Sequence, residues 1–265
     1  MRRNQLFWGV VLLLLGGLLL LDQMGVRFPG NLGPLEIFWP TILILLGVWI
    51  LLGSFLRGNV ETEQASVDLQ GAREARLRIN HGAGELKVHS GAGGGELVRG
   101  SFAGGLDQRV NKNGDRLEVR MKPARDFLDF PFFGPRVRLD WDIALNPNIP
   151  LALSIEAGAN KSDVDLHDLN ITDLKVETGA SETKVTLPSQ GRLRADFDLG
   201  AASLEIAVPE GVSARIRASV GAADLKIAES RFPRTGNIYQ SPDFDSATNA
   251  VDMTIDAGAA QIRVR

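Results

Sequence analysis

The sequence predicts an N-terminal two-helix transmembrane hairpin followed by an all-β domain, a single-stack β-solenoid with a 21-residue repeat. Three observations predict this architecture. Positions 1–57 contain two long apolar segments and only six charged side chains. The rest of the chain alternates apolar and polar side chains, as strands half buried in a sheet do. A short phrase built on Gly-Ala occurs six times, and recurrence at a fixed spacing indicates a repeat architecture.

The membrane hairpin is predicted over residues 1–57, with spans at about 6–21 and 37–56. The first span of sixteen residues would extend about 24 Å as a helix, slightly less than a hydrocarbon core of about 30 Å. A secretory signal is the alternative for this segment. No small-x-small cleavage motif follows it, and a second apolar segment comes at once, so a hairpin is favoured.

The basic residues that flank the two spans predict their orientation. Arg2, Arg3 and Arg57 lie at the outer ends of the hairpin, whereas the connecting loop contains only Arg27. The positive-inside rule therefore places both ends, and the β domain that follows, in the cytoplasm.

The composition of the rest of the chain excludes several kinds of chemistry. After residue 57 the formal net charge is −5 and no basic run occurs, which argues against a nucleic-acid partner. The chain contains no cysteine, so disulfides and cysteine-based zinc or redox sites are excluded. No cofactor is predicted.

The repeat fixes the predicted boundaries of the β domain. A polar linker at 58–66 leads into a solenoid at 67–265, which an irregular insert at 101–150 interrupts. Four successive repeat glycines follow one another at a constant 21-residue spacing, and the last comes after a longer interval that contains an insertion. The predicted structural glycines are Gly82, Gly158, Gly179, Gly200, Gly221 and Gly258.

Each repeat is predicted to contain two short strands joined by a tight turn at its glycine. Apolar residues stand three and five positions before the glycine and six positions after it, as Ile155 and Val164 do around Gly158. Glycine at the corner would permit positive φ and let neighbouring repeats approach closely. The final strand, "AQIRVR", is expected at the edge of the sheet, where its arginines discourage further pairing.

Two segments depart from the repeat and are the places to look for function. The phenylalanine-rich segment at 125–135 either caps the open end of the solenoid or forms a contact surface for a bilayer or a protein. The insertion at 229–244 allows the same two interpretations, with capping favoured. The possible contact residues of the first segment are Phe127, Phe130, Phe132 and Phe133.

The densest polar cluster is "SDVDLHDL". On a strand Asp163, Asp165 and His167 share one face, and Asp168 follows them. This pattern favours a solvated outer face over a cation site, because metal ligands must converge. The glycine-rich "GAGGGE" at 91–96 lacks the ending of a phosphate loop and is interpreted as a turn. No catalytic, cofactor-binding or metal-binding residue is predicted.

Longer stretches resemble a known family. "FWPTILILLGVWIL" is similar to the membrane region of LiaI/LiaF-type proteins. "LDWDIALNPNIPLALSIEAGA" and "YQSPDFDSATNAVDMTIDAGAAQIRV" resemble the toastrack domains of LiaF-like cell-wall-active antibiotic response proteins and adhesin-like proteins. The resemblance implies a membrane-tethered β-solenoid without known catalysis. The best-understood members of the family restrain a histidine kinase that senses envelope stress.

These observations predict a non-catalytic, membrane-anchored interaction or scaffold protein of the bacterial envelope-stress response or of envelope organisation. The expected partners are the lipid bilayer and a membrane sensor kinase or another membrane protein. The alternative is a surface-exposed adhesin or a ligand-binding solenoid. An enzyme acting on saccharides fits poorly, because only Glu205 in the other repeats matches the acids at Asp163 and Asp165.

Overall fold

The structure is a computed structural model and describes residues 62–124, 139–222 and 224–265, with isolated positions at 9, 12–13, 16–17, 20, 23–25 and 42. Most of the isolated positions are helical. Within the described residues, no helical stretch reaches the length and hydrophobicity that crossing a membrane requires. Most of the predicted spans at 6–21 and 37–56 lies outside the described residues, as does the phenylalanine-rich segment at 125–135.

From residue 62 onward the regular structure of the described residues consists of β-strands, so the all-β prediction for this domain is confirmed. Long strands alternate buried and exposed side chains, because successive side chains of a strand point to opposite faces. The strands are β1 (Thr62–Asp68), β2 (Glu74–Ser90), β3 (Glu96–Ala103), β4 (Leu106–Asn113), β5 (Arg116–Pro123), β6 (Trp141–Leu145), β7 (Leu151–Asp165), β8 (Ile171–Thr178), β9 (Glu182–Thr186), β10 (Arg192–Ala207), β11 (Ser213–Val220), β12 (Asp224–Ile227), β13 (Arg234–Thr235), β14 (Ile238–Gln240) and β15 (Ala250–Val264).

The four longest strands pair twice, once on each side of a bend, and so contribute to two faces. On the first face the order is β4-β5-β2-β7-β8-β10-β15-β11-β14-β13. On the second face it is β1-β3-β6-β2-β7-β9-β10-β15-β12. The two faces bury one continuous apolar core, in which Phe197, Trp141 and Phe232 are among the largest fully buried side chains.

The bend changes which side of the strand faces the core. In β7 the buried residues are odd-numbered before Gly158, such as Leu153 and Ile155, and even-numbered after it, such as Val164. Gly158 and Ala159 are both exposed, so the alternation skips one position at the corner. The apolar positions predicted around the glycine are therefore the core positions on the two faces.

The tight turn predicted at every glycine is wrong for four of the six repeats. β2, β7, β10 and β15 run without interruption through their glycines, so one bent strand replaces the predicted pair. Only Gly179 and Gly221 lie between separate strands. A long strand can bend and keep its hydrogen bonds to the neighbouring strand, because that strand bends at the same position.

Neighbouring strands are in register at the spacing of the repeated phrase. Leu153 of β7 lies opposite Leu174 of β8, one repeat further along the chain, and Leu174 lies opposite Ala195 of β10. The same offset joins the second halves, where Val164 of β7 lies opposite Val185 of β9.

The last strand is not at the edge, and the prediction that placed it there is wrong. β15 lies between β10 and β11, with Met253 opposite both Ala195 and Ile216. The insertion before β15 explains this position. β14 of the insertion pairs antiparallel with the outer side of β11, so β15 pairs on the inner side, between β11 and β10. Phe232 and Phe244 of this insertion are buried, which agrees with a capping role.

Two predicted irregular segments contain regular strands. β1 begins at Thr62, so the second half of the predicted linker at 58–66 lies within a strand. The predicted insert at 101–150 contains β4, β5 and β6. β4 and β5 form a hairpin that turns at Gly114, where φ is +60°, a conformation that glycine adopts without strain.

Candidate functional site

The six repeat glycines form one column along the corner between the two faces. Five of them, Gly158 and those after it, are stacked on the backbone of a neighbouring strand, so an added β-carbon would press on a carbonyl oxygen. At Gly158 the collision would be with Gly82 O at 2.7 Å, and at Gly179 with Gly158 O at 3.2 Å. Gly200, Gly258 and Gly221 would each meet the oxygen of the glycine beside them at 3.0 Å.

Close approach is therefore the physical reason for glycine at these corners. Of the two reasons predicted from the sequence, positive φ does not apply, because none of these six described glycines has one. Contacts below about 3.0 Å to a β-carbon do not persist, so a larger residue would push adjacent strands apart.

A groove of about 700 Å³ follows this column on its outer side. Three carboxylates line it, Glu156 on β7, Glu177 on β8 and Asp198 on β10. They are neighbours in register, two positions before their glycines, and Asp256 of β15 continues the row. We call these four residues the carboxylate column.

The members of the carboxylate column differ in how they are neutralised. Glu156 accepts a hydrogen bond from Asn80 Nδ2 at 2.7 Å and lies 3.7 Å from Arg78 Nε. Glu177 forms an ion pair with Lys175. Its carboxylate accepts a hydrogen bond from the lysine, and this bond is the main cause that raises the pKa of Lys175.

Asp198 and Asp256 are exposed and have no hydrogen bond or ion pair within the described part of the chain. Because they lie opposite each other on adjacent strands, their charges repel. A cationic group of a partner would relieve this repulsion. The sequence contains the signal for this column, since all four acids precede a repeat glycine by two residues.

His81 closes one end of the groove from inside the corner. It is 3% exposed, and its Nε2 donates to the carbonyl oxygen of Leu139 at 2.6 Å. Nδ1 is then the acceptor for Asn160 Nδ2 at 3.3 Å. Burial lowers the pKa of His81, so the ring is held neutral. Trp141 packs edge-on at 5.4 Å between ring centroids.

His89 lies on the same strand, and its pKa is shifted in the opposite direction. Its Nδ1 donates to the carbonyl oxygen of Ser90 at 2.7 Å, and its Nε2 donates to Asp142 Oδ1 at 2.9 Å. Both ring nitrogens must carry hydrogen to make these bonds. The Ser90 hydrogen bond is the main cause that raises the pKa of His89.

The cluster around His167 lies on exposed positions at the end of β7. Asp163 and Asp165 point to the outer side, and Asp165 Oδ1 accepts a hydrogen bond from the backbone N–H of His167 at 3.1 Å. His167 Nδ1 lies 2.8 Å from Asp168 Oδ1. Across residues 62–124, 139–222 and 224–265, no three acidic or histidine side chains converge as metal ligands would.

The remaining predicted positions are the glycine-rich turn and the phenylalanine-rich segment. The glycine-rich segment at 91–96 forms a turn before β3, in which Glu96 N donates to Gly93 O at 3.0 Å. The side chain of Asn146 fixes this turn by donating to Gly93 O and Glu96 O. Phe127, Phe130, Phe132 and Phe133 lie outside the described residues.

Comparison with known proteins identifies the two parts of the chain. A family model described as the N-terminal domain of toast_rack, DUF2154, matches residues 56–207. A second, described as the LiaI-LiaF-like transmembrane region, matches residues 6–51. No curated protein matches the chain.

A solved structure shares the fold of the β domain. A crystal structure described as a "putative cell adhesion protein" from Clostridium sporogenes is 20% identical with a TM-score of 0.70, over 77% of this chain and 98% of that one. At this identity the likeness shows the fold alone. A "putative adhesin" from Bacteroides fragilis is 8% identical with a TM-score of 0.23, over 77% of this chain and 97% of that one.

The predicted resemblance is thus confirmed for both parts. The toast_rack match covers more than half of the 265 residues. The chain belongs to the toast_rack family, because its residues 56–207 match the N-terminal domain of that family, and a LiaI-LiaF-like transmembrane region anchors it in a membrane.

Proposed function

We propose that this protein is a non-catalytic, membrane-anchored interaction scaffold that acts in the bacterial envelope-stress response or in envelope organisation, as LiaF-like proteins do. One observation carries the proposal. A LiaI-LiaF-like transmembrane region at 6–51 is followed within five residues by a toast_rack domain that starts at 56. The anchor keeps the β domain close to the bilayer, where the partners it can reach are membrane proteins.

We further propose that the anchor is a hairpin with spans at 6–21 and 37–56, and that the β domain lies in the cytoplasm. The arginines at the outer ends of the hairpin support this orientation. We also propose that the β domain is a single-stack solenoid of 21-residue repeats. The 21-residue offset between paired residues of β7, β8 and β10 supports this arrangement.

The groove along the carboxylate column supports a binding role. Asp198, which also attracts Lys175, and Asp256 present exposed charges in register on adjacent strands, which suits a partner with a row of basic side chains. Stacked carboxylates beside a groove also raise the question of saccharide hydrolysis. A general acid needs a carboxyl group in apolar surroundings, whereas both of these are exposed.

Affinity purification of the full chain from native membranes after crosslinking tests the proposal. We expect a defined membrane protein, such as a sensor kinase, to co-purify. The double variant Asp198→Asn/Asp256→Asn should lose this partner if it binds at the carboxylate column. The matched control Asp163→Asn/Glu210→Gln removes two exposed charges elsewhere and should retain it. Repeated recovery of no specific partner by the native chain would contradict the proposal.

A surface-exposed adhesin or ligand-binding role is the second candidate. The description of the Clostridium sporogenes structure, whose fold the β domain shares, favours it. This role requires the β domain to lie outside the cell. The side of the membrane therefore separates the two candidates.

A further inference from the structure

Three arginines form a row across the outer side of the first face. Arg109 of β4 lies opposite Arg120 of β5, and Arg120 lies opposite Arg78 of β2. Adjacent strands are about 4.8 Å apart, so three positive charges are crowded together. The row continues with Ser154 of β7 and meets no carboxylate until Asp196 of β10.

Most of these charges lack a counter-charge. Arg78 lies 3.7 Å from Glu156 Oε1. Arg109 and Arg120 are exposed and have no ion pair with any described residue. Arg76, two positions before Arg78, lies opposite Glu118 of β5 but forms no ion pair with a described residue. Like charges placed directly opposite each other destabilise a strand pair. An anionic partner would convert this repulsion into attraction.

The arginine row belongs to a larger basic surface. The outward side chains of β4, β5 and the first half of β2 are more basic than those of the following strands, where the carboxylate column lies. Six are basic (Arg76, Arg78, Arg109, Arg116, Arg120, Lys122) and three are acidic (Glu74, Asp107, Glu118). The outer side of the first face is thus positive at one end and negative along the corner.

The positive end lies on strands beside the first strand of the domain. Glu63 of β1 accepts a hydrogen bond at 3.0 Å from the backbone N–H of Leu106, where β4 begins. Ten residues separate the end of the matched transmembrane region at 51 from β1 at 62. A chain of that length spans at most about 35 Å. The tether therefore keeps the basic surface within reach of a bilayer.

We propose that Arg76, Arg78, Arg109 and Arg120 form a docking surface for the anionic headgroups of the membrane in which the protein is anchored. Guanidinium groups bind phosphate oxygens through paired N–H donors. A polybasic surface held near an acidic bilayer gains attraction from each charge without having to find its ligand by diffusion. The inference goes beyond the proposed partner binding, because it assigns the first strands to the lipid and leaves the carboxylate column free for a protein.

The chain is free of cysteine, so single reporter sites can be introduced cleanly. The full protein carrying Asn111→Cys on the exposed outer side of β4 is labelled with a fluorophore and reconstituted into vesicles whose lipids include a headgroup quencher. The reference site is Ser219→Cys, exposed on β11 at the far end of the same face. Vesicles of phosphatidylcholine are compared with vesicles that also contain phosphatidylglycerol.

Docking predicts that the probe at position 111 is quenched when phosphatidylglycerol is present and at low salt, while the probe at 219 is not. Each unpaired arginine should contribute about a five-fold change in the ratio of docked to undocked protein, or roughly 100-fold for three. The variant Arg76→Gln/Arg109→Gln/Arg120→Gln should therefore lose the quenching. The matched control Lys184→Gln/Arg194→Gln/Arg263→Gln removes the same charge from other exposed positions and should keep it.

Equal quenching in both lipids, or quenching that survives the arginine variant, would overturn the proposal. So would quenching that appears only after a second, acidic protein is added, because the surface would then belong to a protein partner. A lysine version of the triple variant guards against misfolding, since it preserves the charge and should remain quenched. A melting temperature that is not lowered in any variant shows that the fold is retained.

Discussion

The Nε2 atom of His81 lies 2.6 Å from the carbonyl oxygen of Leu139, in a buried site where desolvation lowers the pKa of the imidazole. The bond ties β2 to the residues that lead into β6. A second proton on Nδ1 would face the amide donor of Asn160. Burial of the ring therefore makes this part of the fold sensitive to acid.

The first prediction concerns the stability of the protein as pH falls. Burial lowers the pKa of His81 below its unfolded value of about 6.5, so the unfolded chain binds a proton more readily than the folded one. The contribution of His81 is complete above that value and is lost as pH falls through the folded pKa. Urea unfolding across this range should show less acid sensitivity in His81→Phe than in the native protein. An identical pH slope would contradict the assignment.

His89 should respond in the opposite direction. Its pKa is raised, first by the hydrogen bond to the Ser90 carbonyl and also by Asp142. Its contribution is complete below about 6.5 and is lost as pH rises through the folded pKa. NMR titration should place the two histidines on opposite sides of that value. Asp142→Asn should lower the pKa of His89 and leave that of His81 unchanged, and a joint shift would contradict this account.

Substitution in the glycine column should destabilise the domain without changing its surface charge. Gly158→Ala places a β-carbon 2.7 Å from Gly82 O, an overpacked contact that should cost about 1–3 kcal/mol. Gly94→Ala is the matched control, because nothing lies within 4 Å of its β-carbon, and it should change the free energy of unfolding by less than about 0.5 kcal/mol. Urea unfolding measures both variants. Equal stability of the two would show that the strands do not stack as described.

The position of β15 predicts a pattern of hydrogen exchange. As the strand between β10 and β11, it should exchange its amides around Ile255 as slowly as β10 does around Phe197. β12 pairs only with β15, so amides on its open side should exchange faster. Mass spectrometry of deuterated peptides resolves these segments. Rapid exchange throughout β15 would place it at an edge after all.

The sequence predicts the core well, because the requirement for burial is local. Apolar residues at fixed distances from a glycine, such as Ile155 and Val164 around Gly158, are the buried positions on the two faces. The register between β7 and β8 follows from the 21-residue spacing, since a slip by one residue would turn every apolar side chain outward.

The order of the last strands could not be predicted from that pattern. Each repeat presents the same kind of apolar row. By that pattern alone, Met253 of β15 would fit equally well between Ala195 and Ile216 or on the outer side of Ile216. The insertion before β15 decides the order through the antiparallel pairing of β14 with β11. The arginine row shares this difficulty, because its three residues meet only once β4, β5 and β2 are aligned.

The most direct test of the proposed function is the side of the membrane on which the β domain lies. A single cysteine at Thr172→Cys, on an exposed position of β8, is probed in intact cells with a membrane-impermeant thiol reagent. Asn31→Cys, in the loop between the proposed spans, provides the matched site on the opposite side. An interaction scaffold acting inside the cell predicts labelling of position 31 in intact cells and of position 172 only after permeabilisation. Labelling of position 172 in intact cells would contradict the account and favour the adhesin.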